Sequence, residues 1–374
     1  MKFDKALRKS PFIFGNELSY VADLLKKQCS NRGDEFVVAF EERVCQLLAG
    51  NVNGVALNSG TSGLHLGLKI LGVKQGDTVV CSTATFAASA FPVLYEQASP
   101  VFIDSELETW NMCPVLLEEA VVSEIKKGSK PKAIIVVHSY GVPAKMKEIM
   151  IVSKKYSIPV LEDAAQAFGS FYKGKACGSM GEVGVFSFNK NKIISTYGGG
   201  MLISKNQEFV EKTRFLATQA KEKEVNFYLH KDIGYNYLMS PLAAAFGMAQ
   251  LENLQLEIET RKEIFLALSS ELEKIPEIKI LPFSTEAYQS NCWRFVLMVD
   301  SAEIRANIQK ELLKIAIKSD RFWNPMHLQP VFKKYKSYTN GTSEDLFEKG
   351  LSLSIDANLT KQKLLQIISI IKNN

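Results

Sequence analysis

The sequence has little of what marks several large classes of protein. Its six cysteines include no CxxC pair and its four histidines are widely separated, so neither a disulfide framework nor a metal site is expected. The N-terminal segment MKFDKALRKS lacks the apolar core of a secretory signal, and no run of about 18 apolar residues occurs. These absences predict a cytoplasmic protein with free thiols and no membrane contact.

An excess of one charge is missing too. The chain has 45 Lys and Arg against 40 Asp and Glu, a formal net charge of +5, and its basic residues are scattered rather than gathered into a patch. Nucleic acid is therefore not expected as a partner. The nucleotide-binding loops GxxxxGK(S/T) and GxGxxG are absent as well.

What is present is a long chain of ordinary globular composition. With 374 residues, of which 46% are hydrophobic and 23% charged, the chain is too long for one ordinary core. We predict a large domain with an N-terminal arm over residues 1–250 and a small C-terminal domain over 251–374.

From residue 52 to 204, short apolar runs alternate with helical patterns such as 62–71 and 146–156. This alternation is typical of an α/β fold with a mostly parallel sheet flanked by crossover helices. The predicted strands are Val79–Cys81, Val101–Ile103, Ala133–Val137, Val160–Leu161, Val183–Phe188 and Met201–Ile203.

The pattern of apolar residues changes after Ser240 and Pro241. Helical periodicity from Leu242 to about Lys274, without an internal proline, predicts a long linking helix that is either continuous or broken once. The remainder predicts a small α+β domain. Its elements are a strand at Cys292–Val299 and amphipathic helices at Glu303–Ile315 and Lys361–Lys372.

The segment NSGTSGLHL at 58–66 is a turn of small residues that opens an apolar helix. Free backbone N–H groups and the helix dipole would make it an anion site, with the hydroxyls of Thr61 and Ser62 as further donors. A simple helix cap explains the same residues.

The segment PVLEDAAQ at 159–166 is an apolar strand that ends in acidic residues. Open α/β sheets bind ligands at the carboxyl ends of their strands, where the Asp163 carboxylate could pair with a protonated ring nitrogen. The alternative is that Asp163 caps a helix.

The segment VFSFNKNK at 185–192 precedes YGGGM at 197–201. A lysine just beyond a buried strand can sit in a protected cleft, where its pKa falls and its amine becomes nucleophilic. A solvated loop lysine is the usual alternative. An anion turn, a strand-end carboxylate and a loop lysine on one sheet are together the groups that pyridoxal phosphate needs.

At this point the sequence resembles the DegT-type nucleotide-sugar aminotransferases, pyridoxal-phosphate enzymes of fold type I, from about residue 12 to the C-terminus. Within that family it is most similar to the UDP-4-keto-sugar 4-aminotransferases of bacillosamine-type amino-sugar biosynthesis. The motifs that carry the resemblance are NSGTSGLHLGL (58–68), TFAASA (85–90), FIDSELETWNM (102–112), EDAAQAFGS (162–170), FSFNKNK (186–192) with YGGGML (197–202), IGYNYLMSP (233–241) and RFWNPMHLQPVF (321–332).

The resemblance implies a role for each matching residue. Lys192 would bind the cofactor as a Schiff base and move protons, Asp163 would keep the pyridine nitrogen protonated, and Gln166 would lie near the ring. Phe86 would stack on the ring, although a core phenylalanine is the alternative. The phosphate would be held by Gly60, Thr61, Ser62 and Ser187.

Asn236 resembles the asparagine that reaches the phosphate from a neighbouring subunit, which implies a homodimer with shared active sites. Arg321 and His327 resemble positions at the nucleotide-sugar entrance, with structural packing as the alternative for His327. Pyridoxamine phosphate would be the intermediate form of the cofactor. No metal is implied.

Two departures from the family pattern affect the substrate side. Leu238 stands where family members commonly carry an arginine after GYNY, which removes a cation expected near the substrate phosphates. The segment from Cys29 to Glu35 replaces a usual Pro-Leu-Gly turn, so contacts made there do not carry over, and Arg32 would be the residue that compensates.

The predicted reaction moves the amino group of glutamate to a UDP-linked 4-keto-6-deoxy sugar in two half-reactions. A dTDP- or GDP-linked keto-sugar is the alternative acceptor. Two other classes stay open: a regulator that binds cofactor or sugar nucleotide without catalysis, and a pyridoxal-phosphate lyase that acts on amino acids.

Overall fold

The computed structural model describes residues 15–28, 34–48, 51–222, 225–355 and 359–374. The strands are β1 Asn53–Leu57, β2 Thr78–Ser82, β3 Ser99–Ile103, β4 Ala133–Val137, β5 Val160–Asp163, β6 Phe171–Tyr172, β7 Lys175–Ala176, β8 Val183–Ser187, β9 Gly200–Ser204, β10 Lys279–Ile280, β11 Tyr288–Gln289, β12 Arg294–Met298, β13 Ser319–Arg321, β14 Ser337–Tyr338 and β15 Gly350–Ser354. The helices are α1 Glu17–Gln28, α2 Asp34–Leu47, α3 Gly60–Ile70, α4 Phe91–Tyr95, α5 Pro114–Lys126, α6 Met146–Tyr156, α7 Gln207–Ala217, α8 Pro241–Glu252, α9 Leu254–Leu272, α10 Ala302–Lys314, α11 Thr342–Lys349 and α12 Lys361–Lys372.

An eight-stranded sheet forms the centre of the fold, in the order β1-β9-β8-β5-β4-β2-β3-β14. Only β9 runs against the others, since it pairs antiparallel with both β1 and β8. The other neighbouring pairs are parallel. The predicted mostly parallel sheet is therefore confirmed. The reversed strand β9 follows the YGGG turn, and its direction could not be predicted from its apolar residues.

Strand β4 shows why both faces of this sheet are covered. All five of its residues are buried. Ile134 and Val136 pack into the cluster that contains Leu117 of α5 and Ile149 of α6, whereas Ile135 packs on the other side with Leu64 of α3. Because side chains alternate along a strand, one continuous apolar run supplies two core layers.

The linking helix is broken at Asn253, between α8 and α9. Helix α8 packs on α1 and α2, and α9 packs on α12. Of the two predicted forms of this helix, the one with a single break is present.

A four-stranded antiparallel sheet, β10-β12-β15-β13, forms the C-terminal part with α9, α10 and α12 against it. This confirms its α+β character. Strand β14 lies beyond this sheet and pairs with β3 at the edge of the large one. The division of the chain at residue 250 stays a prediction. Within the described residues, no helix combines the length and apolarity that a membrane crossing requires.

Candidate functional site

A cavity of 510 Å³ lies at the carboxyl edge of the large sheet. Asp163 is the last residue of β5 and Ser187 the last of β8, and both line it. Residues of β12, β13 and β15 line the opposite wall. The cavity therefore lies where open α/β sheets bind ligands, with the small sheet closing over it.

Two donors hold the carboxylate of Asp163. Ser89 Oγ donates to Oδ2 at 2.6 Å, and the Ala165 N–H donates to Oδ1 at 3.1 Å. Burial raises the pKa of Asp163, while these hydrogen bonds and the charge of Lys192 lower it. Because burial disfavours the charged carboxylate, a cationic partner in the cavity would stabilise it.

Lys192 lies in the loop after β8 and also lines the cavity. Its Nζ is 4.6 Å from the centroid of the Trp293 ring, and Trp293 Nε1 donates to the carbonyl of Asn191 at 2.7 Å. Burial lowers the pKa of Lys192 from 10.5 to about 8, with Asp163 raising it and Arg294 lowering it. An appreciable fraction of this amine is thus neutral near neutral pH.

Lys190, the neighbouring candidate in the same loop, is exposed and does not line the cavity. Its backbone N–H is bonded to the side chain of Asn189. The geometry therefore separates the two lysines, which the alternating NKNK pattern alone does not do.

The turn after β1 forms the start of α3 against the cavity. Ser59 caps the helix, since its Oγ accepts the Ser62 N–H at 3.0 Å. Gly60 and Thr61 line the cavity, and the first N–H groups of a helix have no intrahelical acceptor. This end of α3 has the geometry of an anion site.

Ser62 differs from the expectation. Its hydroxyl donates to Asn58 Oδ1 at 2.5 Å and contacts Ser59 Oγ at 2.8 Å. Its side chain is buried in the turn and does not line the cavity. The Ser62 hydroxyl therefore belongs to the hydrogen-bond network of the Ser59 cap, and a phosphate contact by Ser62 stays a prediction.

Close packing at this turn requires glycine at two places. A Cβ on Gly200 would lie 2.4 Å from the carbonyl carbon of Ser59, and one on Gly60 would lie 3.0 Å from Cβ of Ser187. These approaches bring β9 and the hydroxyl of Ser187 beside the start of α3.

Gln166 is buried at the cavity wall, and its Oε1 accepts the backbone N–H of Tyr140 at 2.7 Å. With this oxygen engaged, the amide nitrogen is the donor left for the cavity. Tyr140 has a φ of 57°, a left-handed conformation that costs energy for a tyrosine. Its ring stacks on Trp323 at 5.4 Å.

Phe86 is 58% exposed and lines the cavity beside Trp323, at 5.8 Å between ring centroids. This exposure excludes the core-residue alternative. Stacking of Phe86 on a cofactor stays a prediction.

Besides Ser62, the predicted site residues Asn236 and His327 do not line this cavity, and neither does Leu238. Asn236 is exposed, with its backbone carbonyl accepting from Asn58 Nδ2 at 3.1 Å. Leu238 pairs with Leu57 and lines a separate groove. His327 has both ring nitrogens engaged, Nδ1 with Thr83 at 2.7 Å and Nε2 with Glu344 at 3.2 Å.

Arg321 lines the cavity, but its guanidinium is held elsewhere. Nε donates to the carbonyl of Phe347 at 3.1 Å, and Nη2 lies 3.0 Å from Glu348 Oε1. Arg32 and the rest of 29–33 lie outside the described residues, so the second family departure is not tested.

Sequence reasoning missed the wall that the small sheet provides. Trp293 and Arg294 were assigned only to a strand, and Asp320 to no site. Asn291 anchors this wall, because its Nδ2 donates to the carbonyls of Gln166 and Phe168 at 2.9 Å. The one available signal was the Trp-Arg pair at the start of a predicted strand. Ser89 was missed too, although it lies in the TFAASA motif.

Comparison with known proteins was consistent with this geometry. The model of the DegT/DnrJ/EryC1/StrS aminotransferase family matches residues 12–372. EpsN of Bacillus subtilis (strain 168), provisionally named a pyridoxal phosphate-dependent aminotransferase, is 40% identical over 96% of this chain and 93% of its own.

Two further relatives are named for nucleotide sugars. A GDP-perosamine synthase of Escherichia coli O157:H7 is 30% identical, covering 96% of this chain and 95% of its own. The UDP-4-amino-4,6-dideoxy-N-acetyl-beta-L-altrosamine transaminase of Campylobacter jejuni is 32% identical, covering 91% and 92%.

Among solved structures, the sugar aminotransferase Spr1654 of Streptococcus pneumoniae, also provisionally named, matches in its PMP form with a TM-score of 0.89 and 26% identity. That match covers 97% of each chain. Its PLP form matches with a TM-score of 0.88.

Proposed function

The chain belongs to the DegT/DnrJ/EryC1/StrS aminotransferase family, and from this premise we propose that it transfers the amino group of glutamate to a UDP-linked 4-keto-6-deoxy sugar. It is a pyridoxal-phosphate-dependent aminotransferase. The proposed acceptor is UDP-2-acetamido-2,6-dideoxy-4-hexulose, and the product is a 4-amino sugar for glycan biosynthesis. The observation that carries the proposal is the meeting of Lys192 and Asp163 in one cavity.

The residues of the cavity fit the cofactor. The start of α3 at Gly60 and Thr61, with the hydroxyl of Ser187 beside it, suits a phosphate. The buried carboxylate of Asp163 suits a protonated ring nitrogen, and the amine of Lys192 suits an aldehyde. When bound, the cofactor supplies an electron sink that stabilises negative charge on the reacting carbon.

The protein's own groups then have separate tasks. Lys192 Nζ removes the proton from Cα of glutamate in the first half-reaction. In the second half-reaction it delivers a proton to the sugar carbon that receives the amino group. Asp163 holds a proton on the ring nitrogen, with Ser89 and the Ala165 N–H orienting the carboxylate. Glutamate and keto-sugar are consumed, and 2-oxoglutarate and amino sugar are formed.

The nucleotide is the finer part of the proposal. UDP is supported by the motifs of the chain and by the Campylobacter relative, whereas the GDP-perosamine synthase supports a GDP-linked alternative. A dTDP-linked sugar is a third possibility. A regulator without catalysis is disfavoured, because a protein that only binds needs neither a Lys192 with a lowered pKa nor Asp163 opposite it.

We also propose a homodimer in which Asn236 completes the neighbouring subunit's phosphate site. The support is its exposure and its absence from the cavity of its own chain. The division into residues 1–250 and 251–374 belongs to the same proposal, as does a cytoplasmic location, which buried free thiols such as Cys81 and Cys177 favour.

The test is a panel of UDP-, dTDP- and GDP-linked 4-keto sugars incubated with glutamate and the purified enzyme. Mass spectrometry then detects the amino product. We expect turnover with the UDP sugar and none with Lys192→Ala. Turnover of a dTDP or GDP sugar alone would overturn the nucleotide assignment, and amino-acid cleavage without any sugar would overturn the reaction.

A further inference from the structure

Resting on this proposed function, we propose that Arg294 binds a carboxylate of the amino donor and that Asp320 takes the same place on Arg294 when the uncharged sugar ring of the nucleotide-linked substrate replaces the donor. The pair would be an internal switch between a carboxylate and an uncharged sugar ring, which must occupy the same part of one cavity in turn.

Arg294, at the cavity wall, has hydrogen-bond donors that are not used within the described residues. Its Nη1 donates to Asp320 Oδ2 at 2.9 Å and lies 3.5 Å from Ser352 Oγ. Within the part of the chain that the structure describes, its Nε and Nη2 have no acceptor. The side chain is 15% exposed, which is low for a guanidinium with unused donors.

The guanidinium of Arg294 lies over the Trp293 ring, with Cζ 5.2 Å from the ring centroid. This contact holds the guanidinium at the wall, and its planar fork matches a carboxylate with two parallel hydrogen bonds. The same Trp293 ring contacts the Lys192 ammonium. Arg294 therefore lies near the reacting amine, and its charge helps to lower the pKa of Lys192.

The other cations at this wall are less suited to the donor. Arg321 is engaged by Phe347 and Glu348. Lys318 is 83% exposed, with Nζ 3.8 Å from Asp320 Oδ1, so water screens its charge. Of the two arginines that line the cavity, Arg294 is the more buried, at 15% exposed against 34% for Arg321.

The charge of the group favours a carboxylate over a diphosphate. Arg294 and Lys318 together with Asp320 have a net charge of +1, which one carboxylate neutralises. A diphosphate would carry more negative charge to a place where Asp320 already lies, and like charges at that distance repel.

Asp320 explains how the same wall accepts the uncharged ring of the sugar substrate. Without a partner, a largely buried guanidinium is costly. When the donor's carboxylate leaves, Asp320 Oδ2 satisfies Arg294, as it does in this structure. The two residues come from neighbouring parts of the small sheet, since β12 and β13 both pair with β15.

The test titrates the holoenzyme with glutarate, a dicarboxylate that has no amine and does not react, by calorimetry. Arg294→Gln is expected to raise the Kd of glutarate by roughly 10- to 100-fold, the value of lost charge-assisted hydrogen bonds. Asp320→Asn is expected to lower this Kd, because it removes the internal competitor. If the Arg294–Asp320 pair only supported the fold, both variants would bind glutarate more weakly.

Lys310→Ala is the matched control, because it removes one exposed positive charge from the same part of the chain and does not touch the cavity. Steady-state kinetics should show a raised KM for glutamate in Arg294→Gln with the KM for the keto-sugar nearly unchanged. An unchanged glutarate Kd, or an equal rise in both KM values, would overturn the assignment. Failure of the sugar panel would instead count against the proposed function, because glutarate binding requires no turnover.

Discussion

The Nζ atom of Lys192 lies 4.6 Å from the centre of the Trp293 ring, in a cavity wall that joins the large sheet to the small one. Burial there lowers the pKa of Lys192 to about 8. We expect the rate at which cofactor-free protein captures pyridoxal phosphate to rise with pH through about 8, because the neutral amine is the reacting form. Stopped-flow absorbance measures this rate.

A neighbouring charge should move this pH profile. Arg294 lowers the pKa of Lys192, so Arg294→Gln should shift the midpoint upward. The same lowering has a stability consequence, since the unfolded lysine keeps its proton up to about 10.5. The free energy of unfolding of the cofactor-free protein should therefore gain a contribution as pH rises from about 8 to 10.5. An unshifted midpoint in Arg294→Gln would contradict the assigned cause.

Lys192→Ala should abolish turnover and the visible absorbance of the bound cofactor while the circular dichroism spectrum stays native. The reason is that no other described lysine lines the cavity near Asp163 except Lys318, which is exposed. Lys190→Ala is the control and should keep both signals, because Lys190 is exposed and outside the cavity. The reverse result would move the assignment by two residues.

Asp163→Asn should lower the turnover rate and raise the stability of the cofactor-free protein. Turnover should fall by roughly 100-fold or more, as expected when a proton-holding group is removed. The cofactor-free variant should unfold at higher urea concentration, because the raised pKa of Asp163 means that its buried charge costs stability above that pKa. A loss of stability in the cofactor-free state would show that the carboxylate is structural.

Ser89→Ala removes the 2.6 Å hydrogen bond to Asp163 Oδ2. This bond lowers the pKa of Asp163, so its loss should raise that pKa and make the charged carboxylate less favourable. The variant should therefore bind pyridoxal phosphate about 10-fold more weakly, in line with a lost hydrogen bond to a charged group. Ser270→Ala, on the exposed face of α9, is the control. Equilibrium dialysis against the cofactor gives both affinities.

Sites shared between subunits are testable by mixing two inactive variants. In a dimer of Lys192→Ala with Asn236→Ala, one site carries both changes and the other carries neither, so the second site should be active. Random mixing makes half of the dimers mixed, and about a quarter of wild-type activity should return. Without any recovery, Asn236 would act within its own chain or not at all.

Much of this molecule follows from local sequence. The buried runs and helical periods predicted a mostly parallel sheet, the long helical segment after Pro241 and the helix 146–156, because each depends on residues close together in the chain. The cofactor side was predictable for the same reason. Asp163 and Lys192 each follow a predicted strand, Gly60 follows a turn of small residues that opens a helix, and parallel strands end at one edge of a sheet.

The substrate side depended on contacts that no local pattern contains. Arg294 and Asp320 meet because β12 and β13 pair with β15 in a particular register, and a shift of one residue would turn each side chain to the other face. Likewise, the hydroxyl of Ser62, which is predicted to contact the phosphate, donates a hydrogen bond to Asn58 in this structure. Sequence alone predicted which chemical groups would hold the cofactor, and the tertiary structure decided which of them line one cavity and which polar atoms there are already paired, because that depends on every competing partner in space.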